Sequence, residues 1–230
     1  TYSGADVGNY SVTDQSTATG NIVAKTLTAT ASTANKTYDG NNTATTTLTL
    51  SGLVDLETLS TTNISTFNNK NVGTSKTVTV NSITLADGTN GGLALNYSIS
   101  SGQTTTADIT AKSLTLSGIT ASDKTYDGST SATMDGTLAV YSGLVSGDTL
   151  TGTYSGVFDN ANVGTGKTVT ITSSYGGTDV NNYTITDQAS TTADISAKAL
   201  TATASDANKT YDGTTTVSYT HLRAHETFHD

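Results

Sequence analysis

Cysteine, proline and tryptophan are absent from the 230 residues, and methionine occurs once. Without cysteine there is neither a disulfide framework nor a thiolate metal site; an exported chain can do without both. Ten basic residues stand against nineteen acidic ones, a net charge of −9. So few cations argue against nucleic acid or an anionic membrane surface as partner, since both need clustered lysine and arginine. No apolar run approaches the ~20 residues that span a bilayer. The first residues read as the middle of a repeat and not as a signal peptide. Histidine and arginine are missing from residues 1–216: His221, His225, His229 and Arg223 all lie in the last fourteen positions. Glutamate occurs only at Glu57 and Glu226, so good helix formers are scarce.

Threonine is abundant, roughly a quarter of the chain. With valine, isoleucine and tyrosine it favours strands, while Asp-Gly and Asn-Gly favour tight turns. The apolar fraction, 33%, is low enough to raise disorder as an alternative. Internal repetition and a period of two argue against it.

"KTYDG" occurs at Lys36–Gly40, Lys124–Gly128 and Lys209–Gly213. "NVGTxKTV" occurs at Asn71–Val78 and Asn162–Val169, and Asn-Tyr pairs begin at Asn9, Asn96 and Asn182. "SGLV", followed by "DLETL" or "SGDTL", starts at Ser51 and Ser142. The motifs keep one order, and Lys25, Lys112 and Lys198 begin successive copies, 87 and then 86 residues apart (112 − 25 and 198 − 112). A period this long suits one small domain per copy and exceeds the coils of solenoids. Residues 25–111 and 112–197 are therefore two complete repeats. Residues 1–24 read as the end of an earlier one, because "YSGADVGNYSVTDQ" aligns with "YGGTDVNNYTITDQ"; residues 198–216 read as the start of another.

Alternation inside a repeat is that of half-buried antiparallel strands. "KTVTV" puts Val78 and Val80 on one face, "NYTITD" does so with Tyr183 and Ile185, and "KALTATAS" with Leu200, Ala202 and Ala204. Asp39-Gly40, Asp127-Gly128 and Asp212-Gly213 are expected to close turns in which glycine takes positive φ. Val72-Gly73 and Val163-Gly164 are expected to do the same, with the valine buried. "GLVSGDTL" is the one stretch where a helical turn would fit. The junctions, "ADITAKSLTL" and "ADISAKALTA", lack linker composition, so the copies should follow one another as an elongated, semi-stiff rod.

The body offers no histidine or cysteine for catalysis. Asp39, Asp127 and Asp212 recur with each copy, which suits a turn better than an active site. Tyr38, Tyr126 and Tyr211 read as core or hairpin-flanking rings, with the hydroxyl bonded across a turn. Asp108, Asp194 and Asp206 near the junctions raise calcium, but no DxDxDG-like loop accompanies them. The repeated lysines (Lys25, Lys112, Lys36, Lys124) raise an internal isopeptide bond; solvated lysines at strand ends are the plainer reading. Tyr141, Tyr154 and Tyr175 could present a glycan-binding face, though the first repeat lacks counterparts to Tyr141 and Tyr154. No catalytic, cofactor or metal residue is assigned.

The tail invites a metal reading, since three histidines spaced by four share a helical face. It departs from the repeats at about Val217, and "VSYTHLRAHET", Val217–Thr227, resembles one reading frame through a transposase-type sequencing adapter. Residues 217–230 are accordingly set aside as an artefactual tail.

"KTYDG", "SGLVSGDTL", "NVGTGKTVTI", "NYTITD" and "ADISAKAL" together resemble the YDG/MBG-type repeats of filamentous-haemagglutinin-like bacterial surface adhesins, over residues 1–216. The repeat signature comprises Tyr38, Asp39, Gly40, Tyr126, Asp127, Gly128, Tyr211, Asp212, Gly213, Val72, Gly73, Val163, Gly164, Asn96, Tyr97, Asn182 and Tyr183. The resemblance implies small mainly-β units, β-grasp-like or immunoglobulin-like. It implies a secreted or surface-attached protein, on the outer surface of a Gram-negative cell. Its repeats would serve as a stalk projecting a domain that meets a host or environmental glycan or protein, or would bind such a ligand themselves.

Overall fold

The structure, a computed structural model, describes residues 1–14, 17–201 and 210–215. The threonine-rich alternating segments are strands in both repeats. In the first, a five-stranded sheet runs in the order Lys36–Thr37, Thr104–Thr110, Gly73–Asp87, Leu59–Phe67, Thr43–Ala44. The second sets Lys124–Thr125, Ser190–Ser196, Gly164–Gly176, Thr151–Phe158 and Ser131–Ala132 in the same order. Smaller sets of strands pack on each sheet. Thr28–Thr33 pairs antiparallel with Thr46–Ser51, and Lys25–Thr26 pairs parallel with Tyr97–Ser98. In the second repeat Lys112–Ser117 takes both roles, pairing antiparallel with Val140–Ser142 and parallel with Tyr183–Thr186.

The protein is thus mainly β and tandem, and its sheets are mixed. The Lys-Thr of each KTYDG motif lies parallel to the last strand of its own repeat, Lys36 opposite Ile109 and Lys124 opposite Ile195. Helical structure among the described residues is confined to three 3-10 turns, Val7–Asn9, Ala94–Asn96 and Val180–Asn182. Each ends on the asparagine of an Asn-Tyr pair. The helical turn expected in "GLVSGDTL" is not there, because Gly143 (φ 99°) and Gly147 (φ 91°) turn the chain through left-handed backbone.

Leu116, Ile119 and Ile171 form a separate cluster in the second repeat; besides that one, period-two burial gives each five-stranded sheet an apolar cluster of its own. Phe67, Val78, Ala107 and Ile109 form it in the first repeat; Phe158, Val169, Ala193 and Ile195 form it in the second. Val78, Val80 and Val169 are fully buried. Lys36 lies over the Phe67 ring and Lys124 over Phe158, at 6.0 and 5.8 Å.

The expectation for Gly73 and Gly164 is corrected. Neither has positive φ; both open strands, and the left-handed residues come two positions later, Ser75 (φ 49°) and Gly166 (φ 59°). A bulge interrupts the register there, where two residues must oppose one. Asp108 accepts the Ser75 amide at 2.8 Å and Asp194 accepts that of Gly166 at 2.7 Å, so both carboxylates fasten the bulge. The valines also differ from expectation: Val72 is half-buried and Val163 exposed.

The long strands fix where the ends of a repeat lie. Gly73–Asp87 spans 15 residues and Gly164–Gly176 spans 13, each roughly 40–50 Å at ~3.3 Å per residue. Val72 or Val163 sits at one end. At the other, Thr58 or Thr149 meets the turn that follows the strand, through Thr89 or Asp179. Each repeat therefore has a YDG end and, opposite, an end built from SGLV and Asn-Tyr. Residues 1–14 keep local features of the latter: Tyr2 donates to Asp14 as Tyr175 donates to Asp187. Ala202, Ala204, Asp206 and the tail from Val217 lie outside the described residues.

The junction between repeats as candidate functional site

One residue, Ala111, separates the last strand of the first repeat, Thr104–Thr110, from the first strand of the next, Lys112–Ser117. Tyr38 follows the short strand paired with Thr104–Thr110, and its amide bonds Thr110 O at 2.8 Å. The motif is thereby carried to the boundary. Asp39 then accepts the Asn41 amide at 3.1 Å and pairs with Lys36 at 2.7 Å, and Gly40 adopts φ 83°. Asp127 and Asp212 accept the Ser129 and Thr214 amides at 2.9 and 3.0 Å, and Gly128 and Gly213 have φ 83° and 81°. The YDG aspartate and glycine are turn chemistry in all three copies.

The tyrosine faces the other way. Tyr38 is 1% exposed, its ring edge-on against Tyr183 of the second repeat with centroids 5.4 Å apart. Its hydroxyl donates to Asp148 at 2.7 Å, and Tyr183 donates to the same oxygen at 2.6 Å while accepting the Val145 amide at 3.0 Å. Lys70 reaches the second Asp148 oxygen at 3.2 Å and approaches Asp179 at 3.6 Å. Alongside, the Val72 amide donates to Asn182 Oδ1 at 2.9 Å, and the Asn182 amide group reaches Asn71 at 3.4 Å. Gly40 receives Val145: a Cβ there would stand 2.7 Å from Val145 Cγ1. Leu114, Leu144, Leu150 and Ile185 extend the first repeat's apolar cluster across the boundary.

The Asp148 side chain is 3% exposed, and it survives burial as a carboxylate because three donors converge on it. Burial alone would push its carboxyl up; the bonds from Tyr183, Tyr38 and Lys70 outweigh that and hold it below the usual range. Burial and the Asp148 bond push the Tyr183 hydroxyl up to about 12 and raise Tyr38 as well. Tyr38 and Asp148 hold the Lys70 ammonium above its ordinary value. The arrangement has an apolar floor, a buried charge with three hydrogen-bond donors, and a partly exposed cation. It holds two domains in one orientation.

Of the signature residues, the junction gathers Tyr38, Gly40, Val72, Asn182 and Tyr183. Tyr126, Gly128 and Val163 stand at the far end of the second repeat, with Tyr126 41% exposed. Asn96 and Tyr97 belong to the opposite end of the first. There Tyr97 donates to Glu57 and accepts the Val54 amide at 3.0 Å, which repeats the Tyr183–Asp148–Val145 arrangement with glutamate for aspartate. Tyr211 is 92% exposed.

Asp148, Lys70 and Val145 escaped the sequence reading. Asp148 and Val145 were detectable: "SGLVDLETL" and "SGLVSGDTL" align Glu57 with Asp148 and Val54 with Val145. Lys70 was not, because Ala161 takes its place in the second copy. Tyr141, Tyr154 and Tyr175 do not form an open face. They are partly buried against Leu116, Ile119 and Ile171, with the Tyr141 and Tyr154 hydroxyls 2.9 Å apart. Lys36 and Lys124 form ion pairs with Asp39 and Asp127 at 2.7 and 2.8 Å. Among the described residues no three acidic or histidine side chains group as metal ligands, and no helix is long and apolar enough to cross a membrane.

A family model described as the YDG domain matches residues 23–107 and again residues 110–193. No curated protein and no solved structure matches the chain.

Proposed function

Because the chain belongs to the YDG-domain family, with two copies in tandem, we propose that it is a spacer segment of a large bacterial surface adhesin. It is non-catalytic, secreted or displayed on the outer surface of a Gram-negative cell, and projects a distal binding domain toward a host or environmental glycan or protein. The observation that carries this reading is the junction. A one-residue connection, a buried tyrosine pair and a carboxylate with three donors oppose bending between repeats, which a spacer requires and a flexible linker lacks. The junction-forming ends lie at opposite ends of strands of roughly 40–50 Å, so successive repeats add length. Stability in such an array is local to each repeat plus nearest-neighbour terms. The threonine-rich, acidic surface keeps neighbouring arrays apart.

Excising residues 25–197 from the full-length adhesin tests the proposal. The stand-off between cell and ligand-coated surface should shorten by on the order of 80–100 Å, two repeats, with affinity for soluble ligand unchanged. A loss of that affinity would transfer the binding role to the repeats and defeat the spacer reading.

A further inference from the structure

Apart from Lys70, the YDG end of the second repeat carries the same parts as that of the first, and it has no repeat on it among the described residues. Tyr126, Asn162 and Val163 stand where the first repeat has Tyr38, Asn71 and Val72. The frame is set identically: the Tyr126 amide bonds Ser196 O at 2.8 Å, as Tyr38 bonds Thr110 O, and Gly128 repeats the φ of 83°. Surroundings differ. Tyr126 is 41% exposed against 1% for Tyr38, and Val163 is 54% exposed. Among the described residues nothing lies within 4 Å of a Cβ placed on Gly128, whereas Val145 fills that place at Gly40. A hollow of about 340 Å³ opens there, lined by Tyr126, Asn162, Val163, Ala197, Lys198 and Leu200.

We infer that this hollow is the docking half of a second junction, and that its occupant is the following repeat of the same chain, the one that starts at Lys198. This rests on the spacer reading and names the partner of that surface. Three observations fix the chemistry of the occupant. The Tyr126 hydroxyl calls for a carboxylate with its own tyrosine, and the chain builds that socket twice, as Asp148–Tyr183 and as Glu57–Tyr97. The Val163 amide calls for a side-chain amide oxygen, as Val72 has in Asn182. The space at Gly128 accepts a valine, as Gly40 accepts Val145.

Connectivity selects the following repeat over a second copy of the chain. Ala197 alone separates Ser190–Ser196 from Lys198, as Ala111 alone separates Thr110 from Lys112. A one-residue tether delivers the occupant at high effective concentration. A second copy would have to bring residues 24–25 into the space where residues 197–198 already run. The new junction differs in one respect: Ala161 replaces Lys70, so its stability should be insensitive to salt.

The test compares the chain as it stands with one in which a second copy of residues 112–197 replaces everything from Lys198 onward. Nitration of Tyr126, followed by peptide mass spectrometry, should be roughly tenfold slower in the extended chain, with matching slowing of hydrogen exchange at the Val163 amide. Asp148→Asn in the appended copy alone should return most of the Tyr126 reactivity. Equal reactivity in the two chains, with the appended copy shown folded by its own amide protection, overturns the proposal. So does protection in the unextended chain that rises with concentration alongside dimer sedimentation, which would make a second copy the occupant. Protection of Tyr126 together with an unchanged stand-off in the excision experiment would sink the spacer role and leave the docking intact.

Discussion

Tyr38 and Tyr126 hold the same place in two copies of one fold, after the same short parallel strand and before the same aspartate-glycine turn. One is 1% exposed and the other 41%. Their backbones are set alike by amides bonded at 2.8 Å to the last strand of their repeats. The motif by itself therefore builds a turn and aims a ring past the end of the domain. Burial comes from the neighbour: Tyr183, Asp148 and Val145 convert the ring from surface to core. In the first repeat the recurring domain signature supplies half of an interface.

Truncating both rings breaks this comparison most sharply. Tyr38→Ala should cost about 3–5 kcal/mol, the range for removing a fully buried aromatic, and also withdraws one donor from the buried Asp148. Tyr126→Ala, at an exposed site, should stay within about 0.5 kcal/mol. Urea unfolding of the two variants measures both, with hydrogen exchange to place the loss at the boundary. Equal costs would mean that the YDG tyrosine stabilises its own repeat and that the interface contributes little.

Glycine gives a smaller contrast of the same kind. Gly40→Ala and Gly128→Ala share the strain of a left-handed φ of 83°, roughly 1–2 kcal/mol. Only Gly40→Ala also drives a methyl to within 2.7 Å of Val145 Cγ1. That overpacking should add about 1–3 kcal/mol, and small-angle scattering should register a change in the angle between repeats. Identical midpoints for the two variants would count against the packing of Val145 on the YDG turn.

Much of this was readable without coordinates. Val78 and Val80 and the aspartate-glycine turns follow from period two and turn chemistry, both local. The parallel pairing of Lys36–Thr37 with Thr104–Thr110 does not, because alternation reports which face is buried and carries no information on strand direction. Gly73 and Gly164 misled for a related reason. The bulge needs its left-handed residue where the register slips, and Ser75 holds that position in one copy. The junction lay furthest from view. Tyr38 and Asp148 are 110 residues apart, and Tyr38 looks like an ordinary core ring until its partner from the next repeat is in place.

Titration separates the occupied end from the open one at both extremes of pH. Asp148 has a folded pKa below its ordinary value, so its stabilisation is complete above the unfolded pKa of about 3.8 and is lost as pH falls through the folded one. Tyr183 is raised from 10.0 to about 12, so its stabilisation is complete below pH 10 and lost as pH rises from 10 through 12. The groups facing Asp148 are Tyr38, Tyr183 and Lys70, the last also beside Asp179. Exchange at the Val72 amide should be protected from pH 5 to about 9, after correction for the intrinsic rate, and weaken on either side. The Val163 amide should show neither limb. A Val72 profile flat to pH 12 would remove the tyrosine pair from the latch.

Removing the cation should have the smallest effect, for a reason that completes the comparison. Lys70 is 41% exposed, so water and salt screen its attraction to Asp148, and a flexible side chain must be ordered to make the contact. The carboxylate keeps its two tyrosine donors when the lysine goes. Lys70→Ala should therefore lower the urea midpoint only slightly, far less than Tyr38→Ala, and the difference from wild type should shrink as salt is raised. Ala161 already marks a repeat whose YDG end lacks that cation, so the lysine tunes a latch that tyrosine, carboxylate and valine close. A Lys70→Ala loss as large as that of Tyr38→Ala, persisting in high salt, would invert this ranking and make the first junction electrostatic in origin.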